Sequence, residues 1–417
     1  MLDSRRAVKP CIVPVRLRRS STVPEWIEPA GSLLGRHAAS FESVVTPPFS
    51  IERLEEALAA DDADDPGLDR HGAFPVAGLA VLREAGLLRA TLPAGEGGAG
   101  LCEPGRTATL RDVLSAVGRH SLVLGRLYEG HVNAHGLVLR YGGEAARARL
   151  GEDARAGRLS GVWNTEPAEE SGEGLVLHGR MLAGCKTYAS GAGFVTRPLV
   201  TARLPDGRRQ MVIADLDDGG RADLSGWRAH GMRASASGRL DFDGYVVGDA
   251  NLIGEPDDYQ RQPYFFCGAW RFLAVQSGGL QGVFEAHRAH LRLTGRGQDP
   301  HQLARLGQAA AAVETARAAV RRAAEAARDA EARPEAAIAA VGLARGIVER
   351  AGLEGLELAQ RSVGLSGYLE PHPLERRMRD LATYLRQPGP DYALVGAARF
   401  LLDSPEPLNR VWPEAGP

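Results

Sequence analysis

Hydroxyl-bearing and aromatic side chains mark two short segments in the middle of the chain. Thr165 lies in GVWNTE and Ser190 ends KTYAS, so each hydroxyl lies where a short alternating run ends. A hydroxyl both donates and accepts hydrogen bonds, which suits it to the polar edge of a bound molecule. Tyr188, two residues before Ser190, is predicted on the same strand face, where its ring can pack on that molecule. A tyrosine in an ordinary strand core and a serine in a turn would give the same pattern.

A glycine-rich turn, Gly364 to Gly367, follows a long helical segment near the end of the chain. Glycine lets backbone N–H groups approach an anion closely. An ordinary turn between two helices has the same composition, so the turn has two interpretations.

Three titratable residues are candidate bases for proton transfer: His131, Glu166 and Asp391. For His131 a core or surface position is the alternative. A charged cluster follows the glycine turn, with Glu375 and Arg376 each four residues before a residue of opposite charge, Arg379 and Asp380. Pairs at this spacing usually stabilise a helix surface, so we interpret the cluster as structural.

Composition excludes several function classes. The 417 residues include 50 Lys and Arg against 52 Asp and Glu, and a net charge of −2 gives no general affinity for nucleic acid or an anionic membrane. The four cysteines form no CxxC pair, so we expect neither a zinc site nor a disulfide framework. No apolar run reaches about 18 residues and no secretory signal is evident, which favours the cytoplasm.

The spacing of apolar residues changes twice along the chain. Helical spacing dominates up to Gly157, short alternating runs bounded by Gly, Asp and Pro follow, and helical spacing returns from Trp270. No GxGxxG motif joins a strand to a helix, which argues against a Rossmann fold. The predicted segments are a poorly ordered N-terminal arm (1–45), an α-helical domain (46–159), a middle β domain (160–254), a helical bundle (255–404) and a tail (405–417).

Four segments, in the same order along the chain, resemble the acyl-CoA dehydrogenase family. They are LREAGLLRATLPAGEGGAGL (82–101), NTEP (164–167), GWRAHGMRASASGRLDFDGYVV (226–247) and QRSVGLSGYLEPHPLERRMRD (360–380). The resemblance covers about residues 50–402. It implies an α+β multidomain fold with an N-terminal helical domain, a middle antiparallel β domain and a C-terminal four-helix bundle, and it implies FAD as cofactor.

The same resemblance assigns residues to the flavin. The stretches 163–165 and 186–190 match the two β-domain segments that line it, and Arg292 matches an arginine that reaches the FAD of a neighbouring subunit. A shortened segment after Arg292 makes Arg296 the alternative. The implied cofactor-binding residues are Trp163, Thr165, Tyr188, Ser190, Arg292, Gln360, Gly364 and Gly367, with the last three near the ADP part.

The sequence departs from the family where a dehydrogenase needs a glutamate base. The E-G-T position is occupied by Pro388, Gly389 and Pro390, and the other known base position is occupied by Trp270, just before Arg271. Proline and tryptophan cannot accept the α-proton of an acyl thioester. Near the expected pyrophosphate the chain has Ala168, Glu169, Glu170 and Ser171, whose carboxylates disfavour a phosphate-rich CoA ester.

Three hypotheses follow from these departures. The first is an FAD-dependent oxidoreductase that desaturates an acyl-type substrate by hydride transfer to the flavin, with His131, Glu166 or Asp391 as an unusual base. The second is a flavin-dependent monooxygenase of the same fold, which needs no such base and uses reduced flavin delivered by a partner. The third is a flavin-binding scaffold without catalysis, in which Trp270 fills the vacated volume. We expect an electron-transfer partner or flavin reductase, a homodimer or homotetramer, and no metal.

Overall fold

The computed structural model describes residues 50–61, 66–216, 220–386 and 389–412. The predicted N-terminal arm and Pro388 lie outside the described residues. Within the described part, helices come first, strands follow, and long helices complete the chain. This order is the predicted one, and the helical–β–helical organisation of the fold is confirmed, whereas the exact domain boundaries stay a prediction.

Among residues 50–61 and 66–159, six α-helices precede the first strand. Serine caps begin two of them, since Ser50 accepts the N–H of Arg53 and Ser121 accepts the N–H of Leu124. The helix that Ser121 begins buries most of its residues because it runs through the core. The helices are α1 Ile51–Ala59, α2 Val76–Glu84, α3 Leu87–Ala90, α4 Thr107–His120, α5 Leu122–Tyr141 and α6 Glu144–Arg155.

In the middle part, as far as the structure describes it, there are ten short strands, and the alternating sequence runs are confirmed as strands. The strands are β1 Ser160–Trp163, β2 Val176–His178, β3 Met181–Ala183, β4 Cys185–Ala189, β5 Arg197–Arg203, β6 Arg209–Ile213, β7 Arg221–Asp223, β8 Gly238–Asp241, β9 Tyr245–Val246 and β10 Leu252–Ile253. One sheet has the order β10-β6-β5-β2-β3-β9, with β1 also beside β5, and a second has the order β4-β8-β7.

The prediction that the β domain is antiparallel is wrong for part of the larger sheet. β1 pairs in parallel with β5, from Ser160 opposite Arg197 to Trp163 opposite Val200, and β2 also meets β5 in parallel. Parallel neighbours need a crossover of about a dozen residues or more, usually a helix. Here residues 164–196 make the crossover with strands and turns, so the scarcity of helix in this region did not exclude parallel pairing.

Five long or medium helices dominate the C-terminal part: α8 Trp270–Leu293, α9 Pro300–Arg328, α10 Pro334–Val363, α11 Pro373–Tyr384 and α12 Pro390–Asp403, preceded by α7 Tyr264–Cys267 and followed by α13 Leu408–Val411. α10 packs against α8, α9 and α12, while α8 also packs against α4. Alanines recur along α9, and some of them, such as Ala316 and Ala323, are fully buried.

Glycines set the spacing between α4 and α8. A Cβ on Gly118 would lie 2.3 Å from the carbonyl oxygen of Val275, and a Cβ on Gly278 would lie 2.1 Å from the carbonyl oxygen of Ser115. Neither distance is possible for a side chain, so only glycine permits this approach. The contact ties the N-terminal helices directly to the C-terminal helices.

Part of the predicted tail is packed. Trp412 is buried, and its indole N–H donates to the carbonyl of Ala336 at 3.0 Å, on the first turn of α10. Among the helices that the structure describes, none combines the length and apolarity that a bilayer crossing requires. Cys102, Cys185 and Cys267 carry free thiols.

Candidate functional site

The two β-domain stretches assigned to the cofactor lie side by side. The N–H of Thr187 donates to the carbonyl of Thr165 at 2.9 Å, and the indole N–H of Trp163 donates to the carbonyl of Ser190 at 3.0 Å. We call residues 163–165 and 186–190 together the β1–β4 wall. The structure therefore brings together four of the predicted cofactor residues, although which of them touch a flavin stays a proposal.

The prediction that Tyr188 and Ser190 share one strand face needs correction. β4 changes register between Lys186 and Ala189, and Tyr188 has a left-handed backbone with φ 51°. Such a residue breaks the two-residue alternation of a strand. Tyr188 is 66% exposed with its ring edge-on to Trp227, whereas Ser190 is half-buried and its hydroxyl accepts from Ser237 at 3.2 Å.

Thr187 is a wall residue that the sequence analysis missed. Its hydroxyl oxygen is enclosed and has no hydrogen-bond partner in the described part of the chain. An enclosed hydroxyl without a partner costs about 1–3 kcal/mol, a cost that the polar edge of a ligand would remove. Thr187 lies in the same segment, KTYAS, but strict strand alternation favoured Tyr188 and Ser190 instead.

Glu166 lies behind the wall and is held between two cations. Its carboxylate accepts from the Lys186 ammonium at 2.9 Å and from the Arg209 guanidinium at 3.0 Å. Lys186 is fully buried, and burial lowers the pKa of its ammonium to about 8 although Glu166 opposes that shift. The carboxylate thus ties Lys186 on β4 to Arg209 on β6. This arrangement disfavours Glu166 as the unusual base and gives it the role of holding the wall.

His131 lies in the core. Its Nε2 donates to the carbonyl of Leu88 at 2.8 Å, and its Nδ1 accepts from the N–H of Ser160 at 3.1 Å, which fixes a neutral ring with the proton on Nε2. Burial lowers the pKa of the imidazole to about 4. The ring lies with its centroid 3.9 Å from that of His135, at an interplanar angle of 47°, and His135 is itself bonded to Ser160. With both nitrogens occupied, His131 positions the start of β1, and the core alternative is favoured over the base.

Asp391 is the third candidate base, and it is exposed. It lies in the first turn of α12. The N-cap residue of this helix is Gly389, which has a left-handed backbone with φ 67°. The three candidate bases thus occupy three different environments: a paired carboxylate, a buried neutral ring and an exposed helix end.

The residues predicted to meet the ADP part of the cofactor lie where α8 and α10 end. The N–H of Gly364 donates to the carbonyl of Gln360, and Gly364 has φ 71° with open space where a Cβ would stand. Gly367 is buried in the short 3-10 helix that follows. Arg292 is exposed on the last turn of α8, while Arg296 donates to the carbonyl of Ser362 at 3.2 Å. The bond from Arg296 brings the end of α8 to the glycine turn.

The charged cluster on α11 joins all three parts of the fold, and both predicted i, i+4 pairs are present. Arg379 lies 2.5 Å from Glu375, Arg376 lies 3.6 Å from Asp380, and Arg379 also lies 2.5 Å from Asp69. We call these five residues the junction cluster. Burial raises the pKa of the Asp380 carboxyl to about 6, although Arg376 opposes that shift.

The junction cluster also holds the segment behind the wall. The N–H of Met232 donates to Asp380 at 2.5 Å, and Arg379 donates to the carbonyl of His230 at 3.0 Å. A few residues later, the carbonyl of Ser235 accepts the N–H of Gly191 at 2.8 Å, beside Ser190. The structural interpretation of the cluster therefore has a geometric basis, because it ties α11 to the backbone that supports the wall.

A second polar cluster, not anticipated from the sequence, lies between α5 and α8. The Arg126 guanidinium donates to the Glu129 carboxylate at 2.7 Å, and the other oxygen of Glu129 accepts from the Asn133 amide. The amide oxygen of Asn133 accepts from Arg271 at 3.0 Å. We call these four residues the α5 cluster. Their spacing, 126, 129 and 133 on one helix face, was the available signal.

Trp270, at one of the vacated base positions, is 4% exposed and packs in the main hydrophobic core. The guanidinium of Arg271 lies 5.5 Å from its ring centroid. Within the described residues, no group of three or more His, Cys, Asp or Glu side chains is arranged to hold a metal ion.

A cavity of about 520 Å³ lies beside α1 and α4, away from the residues assigned to the cofactor. Ion pairs line it, with Arg119 2.8 Å from Glu55 and His120 3.1 Å from Asp61. We assign it no role in the reaction, since its charged side chains already have partners within the fold.

Comparison with known proteins identifies relatives along most of the chain. Residues 284–386 match the family model described as acyl-CoA dehydrogenase, C-terminal domain. Amino sugar nitrososynthase DnmZ from Streptomyces peucetius is 28% identical over 365 residues, covering 79% of this chain and 87% of the relative.

Solved structures give the same fold. TdsC from Paenibacillus sp. A11-2, in a complex with FMN and indole, has a TM-score of 0.73 at 21% identity and covers 84% of this chain and 95% of its own. KijD3, in a complex with FMN and a dTDP-linked amino sugar, has a TM-score of 0.69 at 25% identity and covers 86% of this chain and 93% of its own. The chain therefore has the acyl-CoA dehydrogenase fold, and its predicted resemblance to the acyl-CoA dehydrogenase family is confirmed.

Proposed function

We propose that the protein is a flavin-dependent monooxygenase, which oxygenates a small molecule with reduced flavin delivered by a partner reductase. The observation that carries this proposal is the state of the candidate bases. Glu166 is paired with two cations, His131 has both ring nitrogens occupied, and Trp270 stands at a vacated base position. Oxygenation by reduced flavin requires no residue to remove an α-proton, so it is compatible with this site.

Two of the similar proteins support the monooxygenase proposal. DnmZ is an amino sugar nitrososynthase, and the KijD3 complex contains FMN together with an amino sugar. Both names concern a small molecule rather than a CoA ester. The exposed Glu169 and Glu170, next to the wall, add a physical reason against a polyphosphate ligand at that position.

The β1–β4 wall fits a flavin. A bound flavin would supply the two-electron redox chemistry that no side chain can provide. Trp163 gives the wall a rigid base, since its buried indole is bonded to Ser190. The hydroxyls of Thr165, Thr187 and Ser190 offer donors and acceptors, and that of Thr187 is the one that is enclosed without a partner in the described part of the chain. Lys186 and Glu166 hold this edge from behind.

FAD is the cofactor that the resemblance implies, and FMN is the one in the KijD3 complex. FAD carries an AMP moiety that FMN lacks, and Gln360, Gly364 and Gly367 are the proposed contacts of the ADP part that contains it. Extraction of the flavin from purified protein and chromatography against both standards identifies which one is bound. Loss of FAD, but not FMN, on Gly364→Val would support contact of the turn with the ADP part.

Desaturation of an acyl-type substrate is the second candidate, favoured by the family match of residues 284–386. Asp391 is the candidate base that stays open to solvent in this case. A dehydrogenase would reduce its flavin with substrate alone, whereas a monooxygenase would need reduced flavin from outside. The two proposals therefore differ in which reactant brings the electrons.

The discriminating experiment mixes the protein, loaded anaerobically with reduced FMN or reduced FAD, with oxygenated buffer. Oxygen uptake and hydrogen peroxide release are followed together. Peroxide release that lags behind uptake, relative to free flavin, supports oxygenation, because the protein must shield the reduced flavin from water. Release without a lag, combined with flavin bleaching by butyryl-CoA under anaerobic conditions, would overturn it in favour of desaturation. Failure to bind either flavin would leave the scaffold hypothesis.

We also propose a homodimer or homotetramer. Large apolar side chains are exposed on the glycine turn and α12, with Leu365 at 75% and Tyr392 at 86% exposure. Apolar side chains gathered on one face usually mark an interaction surface. Mass photometry at nanomolar protein concentration tests this proposal, and a monomer would contradict it.

A further inference from the structure

The α5 cluster contains two cations but only one carboxylate. Arg126 and Arg271 face a single carboxylate, Glu129, and both oxygens of Glu129 are already used, one by Arg126 and one by Asn133. Arg271 reaches the cluster only through the neutral amide oxygen of Asn133. In the described part of the chain no carboxylate lies within 4 Å of its guanidinium.

The donors of Arg271 are incompletely used. Nη1 donates to Asn133, Nε is enclosed without a hydrogen-bond partner, and Nη2 makes no bond to the described residues and is not enclosed. The residue as a whole is half-buried, so a molecule from solvent can reach its outer edge. A partly enclosed guanidinium without a counter-ion is costly to maintain and is suited to bind an anion.

The helix that carries three of the four cluster residues packs against the strand that leads into the wall. A Cβ on Gly130, next to Glu129 on α5, would be 3.7 Å from the Cα of Gly161, 3.9 Å from the nitrogen of Val162 and 3.7 Å from a terminal nitrogen of Arg126. β1 ends at Trp163, the first residue of the wall. The α5 cluster and the wall are thus connected through the contact of α5 with β1.

We propose that Arg271 docks an anionic group, a carboxylate or a phosphate, carried by the molecule on which the enzyme acts. The inference rests on the proposed function, because it concerns the substrate of the same site. Arg271 presents adjacent N–H groups that match the two oxygens of such a group, and Asn133 fixes the plane of the fork. Glu129 is neutralised by Arg126 and does not repel the incoming charge.

The test is isothermal titration of the full-length protein with inorganic phosphate and, separately, with acetate at low ionic strength. Saturable binding of one of them is expected in the unmodified protein. Arg271→Gln should lower the affinity for the anion by about tenfold or more. The affinity of Arg271→Lys should lie between those of the unmodified protein and Arg271→Gln, since lysine keeps the charge but lacks the planar pair of N–H donors. Arg288→Gln is the matched control, because Arg288 lies on the same helix at 5.6 Å from an aromatic centroid, and it should bind like the unmodified protein.

Equal binding by Arg271→Gln and the unmodified protein would overturn the proposal, as would the absence of saturable binding of either anion. Loss of phosphate binding when the protein is loaded with flavin would also overturn it, because the anion site would then belong to the flavin phosphate. Should Arg271→Gln fail to fold by circular dichroism, Arg271→Lys decides the outcome. The titration involves no turnover, so its failure and the failure of the oxygenation experiment are separate results.

Discussion

Two polar clusters of this protein differ in charge balance. In the junction cluster Arg376 and Arg379 face three carboxylates, Arg233 adds a third cation 3.6 Å from Asp69, and the cluster also bonds to the backbone of residues 230–232. In the α5 cluster two arginines share one carboxylate, and Arg271 has an enclosed nitrogen without a partner. Both clusters join separate parts of the chain, yet only the first has every cation paired with a carboxylate.

This difference in charge pairing distinguishes a cluster that stabilises the fold from a cluster that can bind a ligand. Charges that are removed from water require partners, and a fold that needs a cluster only for stability gains nothing from leaving an arginine without one. An arginine without a counter-ion is explained if the counter-ion arrives with a ligand. The enclosed hydroxyl of Thr187 follows the same logic for a neutral group.

Arg379→Met should give the largest loss of stability. The substitution leaves Asp69 and Glu375 as buried carboxylates without their shared partner, which costs about 3–5 kcal/mol. Urea unfolding followed by circular dichroism measures the change. Arg361→Met is the control, since both side chains of its ion pair with Glu357 are exposed and its loss should cost less than about 1 kcal/mol. Equal losses in the two variants would refute a structural role for the junction cluster.

His131 differs from both clusters, because its buried imidazole is neutral and bonds to backbone groups rather than to a charged side chain. The pKa of His131 is about 4 in the folded protein against an ordinary 6.5, so the unfolded chain binds a proton more readily. Stability from this ring is complete above pH 6.5 and is lost as the pH falls from 6.5 towards 4, by about 3 kcal/mol. Urea unfolding across this range measures it. The pH dependence should shrink in His131→Gln, and an unchanged profile would contradict the assignment.

The sequence was sufficient to predict the helical and strand regions, but not to predict every pairing between strands. Helical spacing located α5, α8 and α10, because a helix is specified by residues close together in the chain. Parallel pairing of β1 with β5 depends on a crossover through residues 164–196, and no local pattern records which strand becomes the neighbour. The four family segments supplied the order of the parts, which local periodicity alone leaves open.

The candidate site divides in the same way. The two stretches of the wall were found because hydroxyls and an aromatic residue ended two alternating runs. Thr187 was missed because a register shift and the left-handed Tyr188 interrupt the alternation. Arg271 was matched to a family position, but its lack of a counter-ion depends on how Asn133 and Glu129 meet it from α5, a relation across 138 residues.

Thr187→Val should separate folding from flavin binding. Removing an enclosed hydroxyl without a partner should leave the flavin-free protein as stable or slightly more stable, while the affinity for flavin falls by roughly fivefold, about 1 kcal/mol. Ser190→Ala should also weaken flavin binding or shift the flavin spectrum. Fluorescence titration with FMN and FAD measures both. Unchanged affinity and spectrum in the two variants would mean that the wall does not contact the flavin edge.

Arg271→Met should give the smallest effect on stability, and it completes the comparison with Arg379→Met. Because Arg271 has no carboxylate partner, its removal leaves no uncompensated charge, and methionine fills much of the same volume. The free energy of unfolding should change by less than about 1 kcal/mol, and an increase is within expectation because burial already lowers the pKa of this guanidinium. Urea unfolding without ligand measures the change. A loss as large as that of Arg379→Met would show that the α5 cluster is structural too, and charge balance would then no longer distinguish the two clusters.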